Sequence, residues 1–140
     1  MRRKRDGKRR SGIATVELAL LLPFLAFIFV AAVDYGRVFY YSITIENCAR
    51  NGALYASDPI AAAQSSYASL SDAALSDAPN ISPTPTVTST SGTDASGRSY
   101  VDVTVTYTFT TLTSYPGIPS STTISRTVRT DVAPTAPTSN

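Results

Sequence analysis

The sequence predicts an α+β protein with a long N-terminal helix, a short second helix and a small antiparallel β-meander of about three strands. Two observations lead to this class. A helical pattern of apolar residues extends from Ile13 to Ser57. After Thr86 the apolar spacing changes to a period of two. With 140 residues, the chain has room for one small domain beyond its apolar segment.

Residues 1–12 form a basic leader, which we expect to be cleaved. The seven cations of this leader oppose one acid, and they are Arg2, Arg3, Lys4, Arg5, Lys8, Arg9 and Arg10. Such an excess keeps an N-terminus in the cytoplasm and attracts it to anionic membrane lipid. After Gly12, five arginines stand against nine acids, so we predict no nucleic-acid partner.

Residues 13–33 are predicted to be a single transmembrane helix, with the C-terminal domain outside the cytoplasm. At about 1.5 Å per residue, this helix is roughly 32 Å long, which matches the hydrocarbon core of a bilayer. Pro23 lacks an amide hydrogen and its ring crowds the carbonyl of Ala19, so a kink is expected there.

Glu17 is the unusual residue of this segment, because a carboxylate in a membrane helix costs about 2–3 kcal/mol. A cut after Gly12 would create an ammonium group on Ile13, four residues before Glu17 and on the same helical face. The two charges would then neutralise each other, within one subunit or between packed subunits. The alternative is an interfacial acid that reaches the head groups.

A basic leader, a glycine and an apolar helix with glutamate in fifth place resemble the class III signal of type IV pilin-like proteins. The segment GIATVELALLLPFLAFIFVAAVDYGRVFYYSITIENCARNGALYAS is similar to the opening of TadE-like minor pseudopilins of tight-adherence (Tad/Flp) pilus systems. The resemblance implies processing by a prepilin peptidase between Gly12 and Ile13. It also implies a TadF-like protein, other pilin subunits and the Tad secretion platform as partners.

Two functions remain open at this point. The first is a minor pilin-like subunit that acts in assembly of a Tad/Flp pilus or related secretion system for surface adherence. The alternative is a secreted or membrane-anchored β-rich adhesion or binding domain with an ordinary signal peptide or signal anchor. The small residues Val30-Ala31-Ala32 offer a signal-peptidase site before Val33.

The composition argues against an enzyme. The sequence has no histidine and a single cysteine, so it offers neither a zinc site nor a Cys/His nucleophile pair. It has no glycine-rich phosphate loop, and its many serines and threonines lack a nearby base. We therefore predict no catalytic residue, no metal and no cofactor. Cys48 is expected to be a small buried group without an intrachain disulfide.

Residues 34–57 are predicted to continue the helix outside the membrane. Asp34 with Arg37, and Glu46 with Arg50, have the spacing of helical ion pairs. The apolar stripe that should face the outer domain recurs at steps of three and four residues and consists of Val38, Tyr41, Ile45, Cys48, Ala49, Gly52 and Ala56.

Residues 58–78 are predicted to form the second helix, which begins with Asp58 as N-cap and Pro59 at the first position. Residues 79–133 are predicted to be the antiparallel sheet, and residues 134–140 a disordered tail. The clearest strand spans Tyr100 to Thr110, with Val101, Val103, Val105, Tyr107 and Phe109 on one face. Weaker strand patterns cover 86–90 and 123–132, with turns at SGTDASGR and SYPGIPSS.

Overall fold

The computed structural model describes residues 8–112 and 119–134, with side chains from Gly12 onward. The elements in chain order are α1 (Lys8–Ser57), α2 (Pro59–Gln64), α3 (Leu70–Leu75), β1 (Thr86–Thr93), β2 (Ser99–Thr110) and β3 (Ser121–Asp131). The α+β class predicted from the sequence is confirmed. The chain divides into two units, Met1–Arg37 and Val38–Asn140.

Three sequence predictions lie wholly or partly outside the described residues. The first concerns the leader, where residues 1–7 and the side chains of Lys8, Arg9 and Arg10 are not described. The second is the Pro-Gly turn, most of which falls in residues 113–118. The third is the tail, residues 135–140.

The first unit contains the N-terminal part of α1. The structure describes this helix from Lys8 onward, which includes the predicted Ile13. It includes Pro23 and continues beyond it. The predicted helix end at Ser57 is confirmed.

The second unit is built around the contact between residues 38–57 of α1 and the sheet. The predicted stripe is confirmed, because its members are buried or pack against the core. One cluster of buried residues consists of Ile45, Cys48, Ala49, Ala78, Val105, Tyr107, Phe109 and Ile124. A second cluster consists of Ala53, Val101 and Val103. Each large apolar side chain that is fully buried in this way contributes about 1.5–3 kcal/mol to stability.

The three strands form one antiparallel sheet in the order β1-β2-β3, which confirms the predicted meander. In β2 every second residue from Val101 to Phe109 is buried, as the period of two indicates. The ring of Tyr41 on α1 meets this face, with its centroid 4.9 Å from that of Tyr107 and 5.7 Å from that of Phe109.

The single helix predicted over 58–78 is wrong, because two short helices occupy this region. Asp58 caps α2 as predicted, and its carboxylate accepts hydrogen bonds from the amides of Ile60 and Ala61 at 3.0 Å each. The break follows Gln64, where the Ser65 hydroxyl donates to the carbonyl of Ala62 and accepts from the amide of Tyr67. Serine hydroxyls compete with the helical backbone in this way, so a serine-rich stretch ends the helix.

A new N-cap begins α3. The Ser69 hydroxyl accepts from the amide of Asp72, and the Asp72 carboxylate accepts from the amide of Ala68. The two side chains thus satisfy backbone donors at the start of a helix that is only one and a half turns long. Of the apolar residues in this region, Ala74 is buried, whereas Ile60 and Tyr67 are exposed.

Gly52 marks a close approach of α1 to β2. A Cβ at this position would lie 2.9 Å from Cγ1 of Val103 and 3.1 Å from Cβ of Ala74. Replacing Gly52 by valine should therefore lower the free energy of unfolding by about 1–3 kcal/mol through overpacking. Denaturant unfolding of the full chain in detergent, followed by near-ultraviolet circular dichroism, measures this change.

Gly36 provides the matched control for this prediction. A Cβ there would meet nothing within 4 Å, so Gly36→Ala should leave the stability unchanged or slightly increase it. If Gly52→Val is as stable as the parent chain, the tight contact between α1 and β2 is not the constraint described above.

Candidate functional site

The predicted processing position lies on the surface of the first unit, within α1. Gly12 is exposed, and Ile13 exposes 63% of its surface. A Cβ at Gly12 would meet no atom within 4 Å beyond the local helix itself. The described fold therefore has no steric requirement for glycine at position 12.

Glu17 lies four residues after Ile13, and thus on the same face of α1. Its side chain is exposed, and none of the ion pairs between described residues involves it. Among the side chains described, which begin at Gly12, this acid has apolar neighbours and no partner of opposite charge. The helix thus presents Glu17 to its surroundings.

Large apolar side chains of the segment that contains Glu17, from residue 13 to residue 33, are exposed on every side of α1. They are Ile13, Val16, Leu18, Leu20, Leu21, Leu22, Phe24, Leu25, Phe27, Ile28, Phe29 and Val33. The helix is long and apolar enough to cross a membrane, as judged by length and composition. A continuous apolar surface of this size marks contact with lipid or with other proteins.

Two ion pairs predicted from helical spacing are present on α1. Nη1 of Arg37 lies 2.9 Å from Oδ1 of Asp34, and the guanidinium of Arg50 pairs with Glu46. The Arg50–Glu46 pair is exposed, whereas the Asp34–Arg37 pair is partly buried. Helical pairs at these spacings contribute only about 0.2–0.5 kcal/mol each to stability.

One cluster on the exposed sheet face was not predicted from the sequence. Arg129 on β3 donates to both carboxylate oxygens of Asp102 on β2, at 2.7 and 2.6 Å. Its guanidinium carbon lies 3.9 Å from the ring centroid of Tyr100. The hydrogen bonds from Arg129, together with its positive charge, hold the pKa of Asp102 below the ordinary value. The same hydrogen bonds, together with the negative charge of Asp102, raise the pKa of Arg129.

The turn between β1 and β2 is built on Asp94. Its carboxylate accepts from the amides of Ser96 and Arg98 at 2.8 Å each, and Gly97 adopts a positive φ of 80°. The backbone hydrogen bond from Arg98 is the main reason that the pKa of Asp94 is lowered. The guanidinium of Arg98 also reaches Asp131 on β3, so this turn joins the ends of all three strands.

The second unit has a groove of about 430 Å³ between the end of α1, α2 and α3. Tyr55 and Tyr67 line it. On its wall, the side-chain amide of Asn51 donates from Nδ2 to Oδ2 of Asp77 at 2.9 Å. Within the described residues, no three or more Cys, Asp or Glu side chains are grouped so that they could hold a metal ion. The groove offers apolar, hydroxyl, amide and carboxylate groups. No hydrogen bond joins a serine hydroxyl of the described lining to Asp77, so this lining has no nucleophile bonded to a base.

The comparison with known families adds one finding. The model of a family described as TadE-like protein matches residues 12–54. The match includes Gly12, Glu17 and every residue of the helical stripe except Ala56, and it ends before α2. No curated protein and no solved structure matches the chain.

Cys48 is a free cysteine whose side chain is completely buried between α1 and the sheet. Burial, together with the negative charge of Asp77, raises the pKa of its thiol. A raised pKa lowers the fraction of thiolate, the form that reacts, at any pH below that pKa. Both access and ionisation therefore oppose modification of Cys48 in the folded protein.

A thiol-reactive maleimide at pH 8 should label Cys48 at least about tenfold more slowly in the folded chain than in urea, because labelling requires local opening. Ser89→Cys in a Cys48→Ala chain provides the exposed control, and it should label rapidly in both conditions. Equal labelling rates for Cys48 with and without urea would contradict its buried position.

Proposed function

We propose that this chain is a minor pilin-like subunit that is processed and then acts in assembly of a Tad pilus. The match of the TadE-like family model to residues 12–54 supports this proposal. The chain is inserted in the inner membrane by α1, with its basic leader in the cytoplasm and the second unit outside. A prepilin peptidase cuts between Gly12 and Ile13. The mature subunit then acts in assembly of the pilus, or of a related secretion system, for surface adherence.

The observation that carries this proposal is the unexplained glycine at position 12. Because the fold leaves space for a side chain there, its own packing supplies no reason for glycine. A peptidase subsite that closes around the backbone at position 12 would require glycine, because only glycine lets another molecule approach the backbone so closely. The exposure of Gly12 and Ile13 is compatible with such access.

Glu17 has the second role in the proposal. After cleavage, the ammonium group of Ile13 lies one helical turn away, in the same chain or in a packed neighbour. Pairing with it offsets the cost of placing a carboxylate in the membrane. The same charge attraction would align one subunit against the next, so we assign Glu17 to processing and subunit assembly.

The apolar surface of α1 is the proposed contact with lipid before assembly and with other pilin helices after it. A proline inside a membrane helix is tolerated where neighbouring helices satisfy the freed carbonyl, so we assign a local kink to Pro23. The proposed partners are a TadF-like subunit, other pilin subunits and the Tad secretion platform.

The mature N-terminus is predicted to be Ile13. Intact-mass measurement or N-terminal sequencing of the membrane-fraction protein tests this directly. Gly12→Leu should block the cut, because a branched side chain then occupies the position at which the peptidase approaches the backbone. Gly36→Ala is the control, since it also fills a glycine with open space around it, and it should be processed normally.

Three other outcomes would count against this prediction. A mature chain that begins at Val33 would show ordinary signal-peptide cleavage and favour the secreted adhesion or binding domain. An intact Met1 would leave a plain membrane anchor. Normal cleavage of the Gly12→Leu chain would remove the proposed role of Gly12.

Replacing Glu17 by leucine should leave membrane insertion intact, because it removes a charge that opposes insertion. The defect should be in processing or in assembly, and pilus formation in cells should fall at least about tenfold if the pair is worth about 1.4 kcal/mol or more. Glu46→Leu is the matched control, because Glu46 pairs with Arg50 outside the apolar segment. Unimpaired pili with Glu17→Leu would favour the interfacial interpretation of this acid.

A further inference from the structure

The sheet has two open edges. β1 pairs with β2 on one side, and β3 pairs with β2 on the other. Among residues 8–112 and 119–134, no backbone hydrogen bond extends the sheet beyond either outer strand. Each edge therefore presents a row of backbone donors and acceptors whose natural complement is another strand.

β1 lacks the usual features that protect an edge strand. Its sequence, TVTSTSGT, contains no charged residue and no proline over eight residues. Most of its side chains are exposed, and they are small or hydroxyl-bearing. Charges, prolines and bulges at edges prevent association, and an eight-residue edge without charge or proline is open to strand addition.

β3 carries two arginines, but both are engaged with their own chain. Arg126 donates from Nη2 to the Ser42 hydroxyl at 2.7 Å, and Arg129 binds Asp102 through two hydrogen bonds. These contacts direct the guanidinium groups to the two faces of the sheet. The backbone edge of β3 is left accessible, and at 11 residues it is long enough to cover β1.

We propose that β1 of one copy of this chain pairs with β3 of a second copy. Both strands run antiparallel to β2 and hence in the same direction. Copies that share one orientation, as identical chains inserted in one membrane do, can continue the sheet by placing β1 parallel to the neighbour's β3. This step rests on the membrane insertion in the proposed function. The contact is heterologous, so repeated addition gives an open row of subunits.

Disulfide trapping tests the pairing. Thr88 and Thr127 lie in one row of the sheet, both opposite Thr104, so a copy added in line places Thr88 beside Thr127 of its neighbour. Within one chain these two residues are two strands, or about 9–10 Å, apart. That separation exceeds the roughly 7 Å limit for a disulfide, so any bond formed must join two chains.

The variant is Thr88→Cys with Thr127→Cys in a full-length Cys48→Ala chain, oxidised mildly in membranes. Non-reducing electrophoresis should show a ladder of dimers, trimers and higher species. Each single-cysteine chain alone should remain largely monomeric. A second variant combines Thr88→Cys with Ser125→Cys. Ser125 lies on the same face of β3 as Thr127, so this pair tests a register shifted by two residues. A ladder from either pair supports the proposal.

Ser89→Cys with Thr127→Cys is the matched control. Ser89 is adjacent to Thr88 but points to the opposite face of β1, and it is also exposed. This pair should give at least about tenfold less ladder if the contact is a strand pairing. Adding Ser89→Lys to the Thr88→Cys, Thr127→Cys chain should reduce its ladder, because a charge on the edge opposes association.

The proposal is overturned if neither same-face pair forms a ladder. It is also overturned if the Ser89→Cys pair crosslinks equally well, or if Thr88→Cys alone dimerises as strongly as the pair. The mature N-terminus of the same membrane samples is measured in parallel. A missing ladder with an N-terminus at Ile13 refutes the strand pairing alone, whereas a start at Val33 refutes the proposed processing independently of the ladder.

Discussion

The close packing of α1 against β2 is the constraint on which the second unit depends. Gly52 allows Cγ1 of Val103 to lie 2.9 Å from the point that a Cβ would occupy, and Ala49 and Ala53 nearby are also small and buried. The two apolar clusters meet along this line, one containing Phe109 and the other Val103. The only cysteine is free, so no disulfide assists, and the small core is held by packing alone.

The two parts of α1 have different surfaces although they belong to one helix. From Gly12 to Phe29 every described residue is exposed, whereas from Val38 to Ser57 one side of the helix is buried and the other side, with Phe39, Ile43 and Leu54, stays exposed. A helix that is apolar all round needs lipid or other helices around it, and a helix with one apolar stripe needs a single covering layer. In the second unit the sheet is that layer. Within the described chain the first part keeps its apolar residues exposed, which is typical of a helix that contacts lipid or other helices.

The sequence was informative wherever a structural feature repeats locally. The extent of α1 to Ser57, its stripe, the ion pair of Arg50 and the alternation in β2 all follow from spacings of two, three or four residues. The Asp102–Arg129 pair could not be found this way, because 27 positions separate its partners and only the β2–β3 register joins them. The break before α3 does not follow from the start signals at Asp58 and Pro59, because it depends on the Ser65 hydroxyl, which competes for backbone hydrogen bonds.

Gly12 and Gly52 show how the same residue type can have different physical reasons. At Gly52 the reason is internal, since a side chain would overlap Val103. At Gly12 the described fold gives no reason, and the same is true of the nearby unpaired Glu17. Both are unfavourable choices for a membrane helix: glycine weakens it, and the acid opposes burial in lipid. These two unfavourable residues lie within six positions of each other, and no contact inside the described chain offsets either one. We therefore infer that contacts with other molecules determine the residue types in this part of α1. A processing enzyme and a neighbouring subunit would account for one residue each.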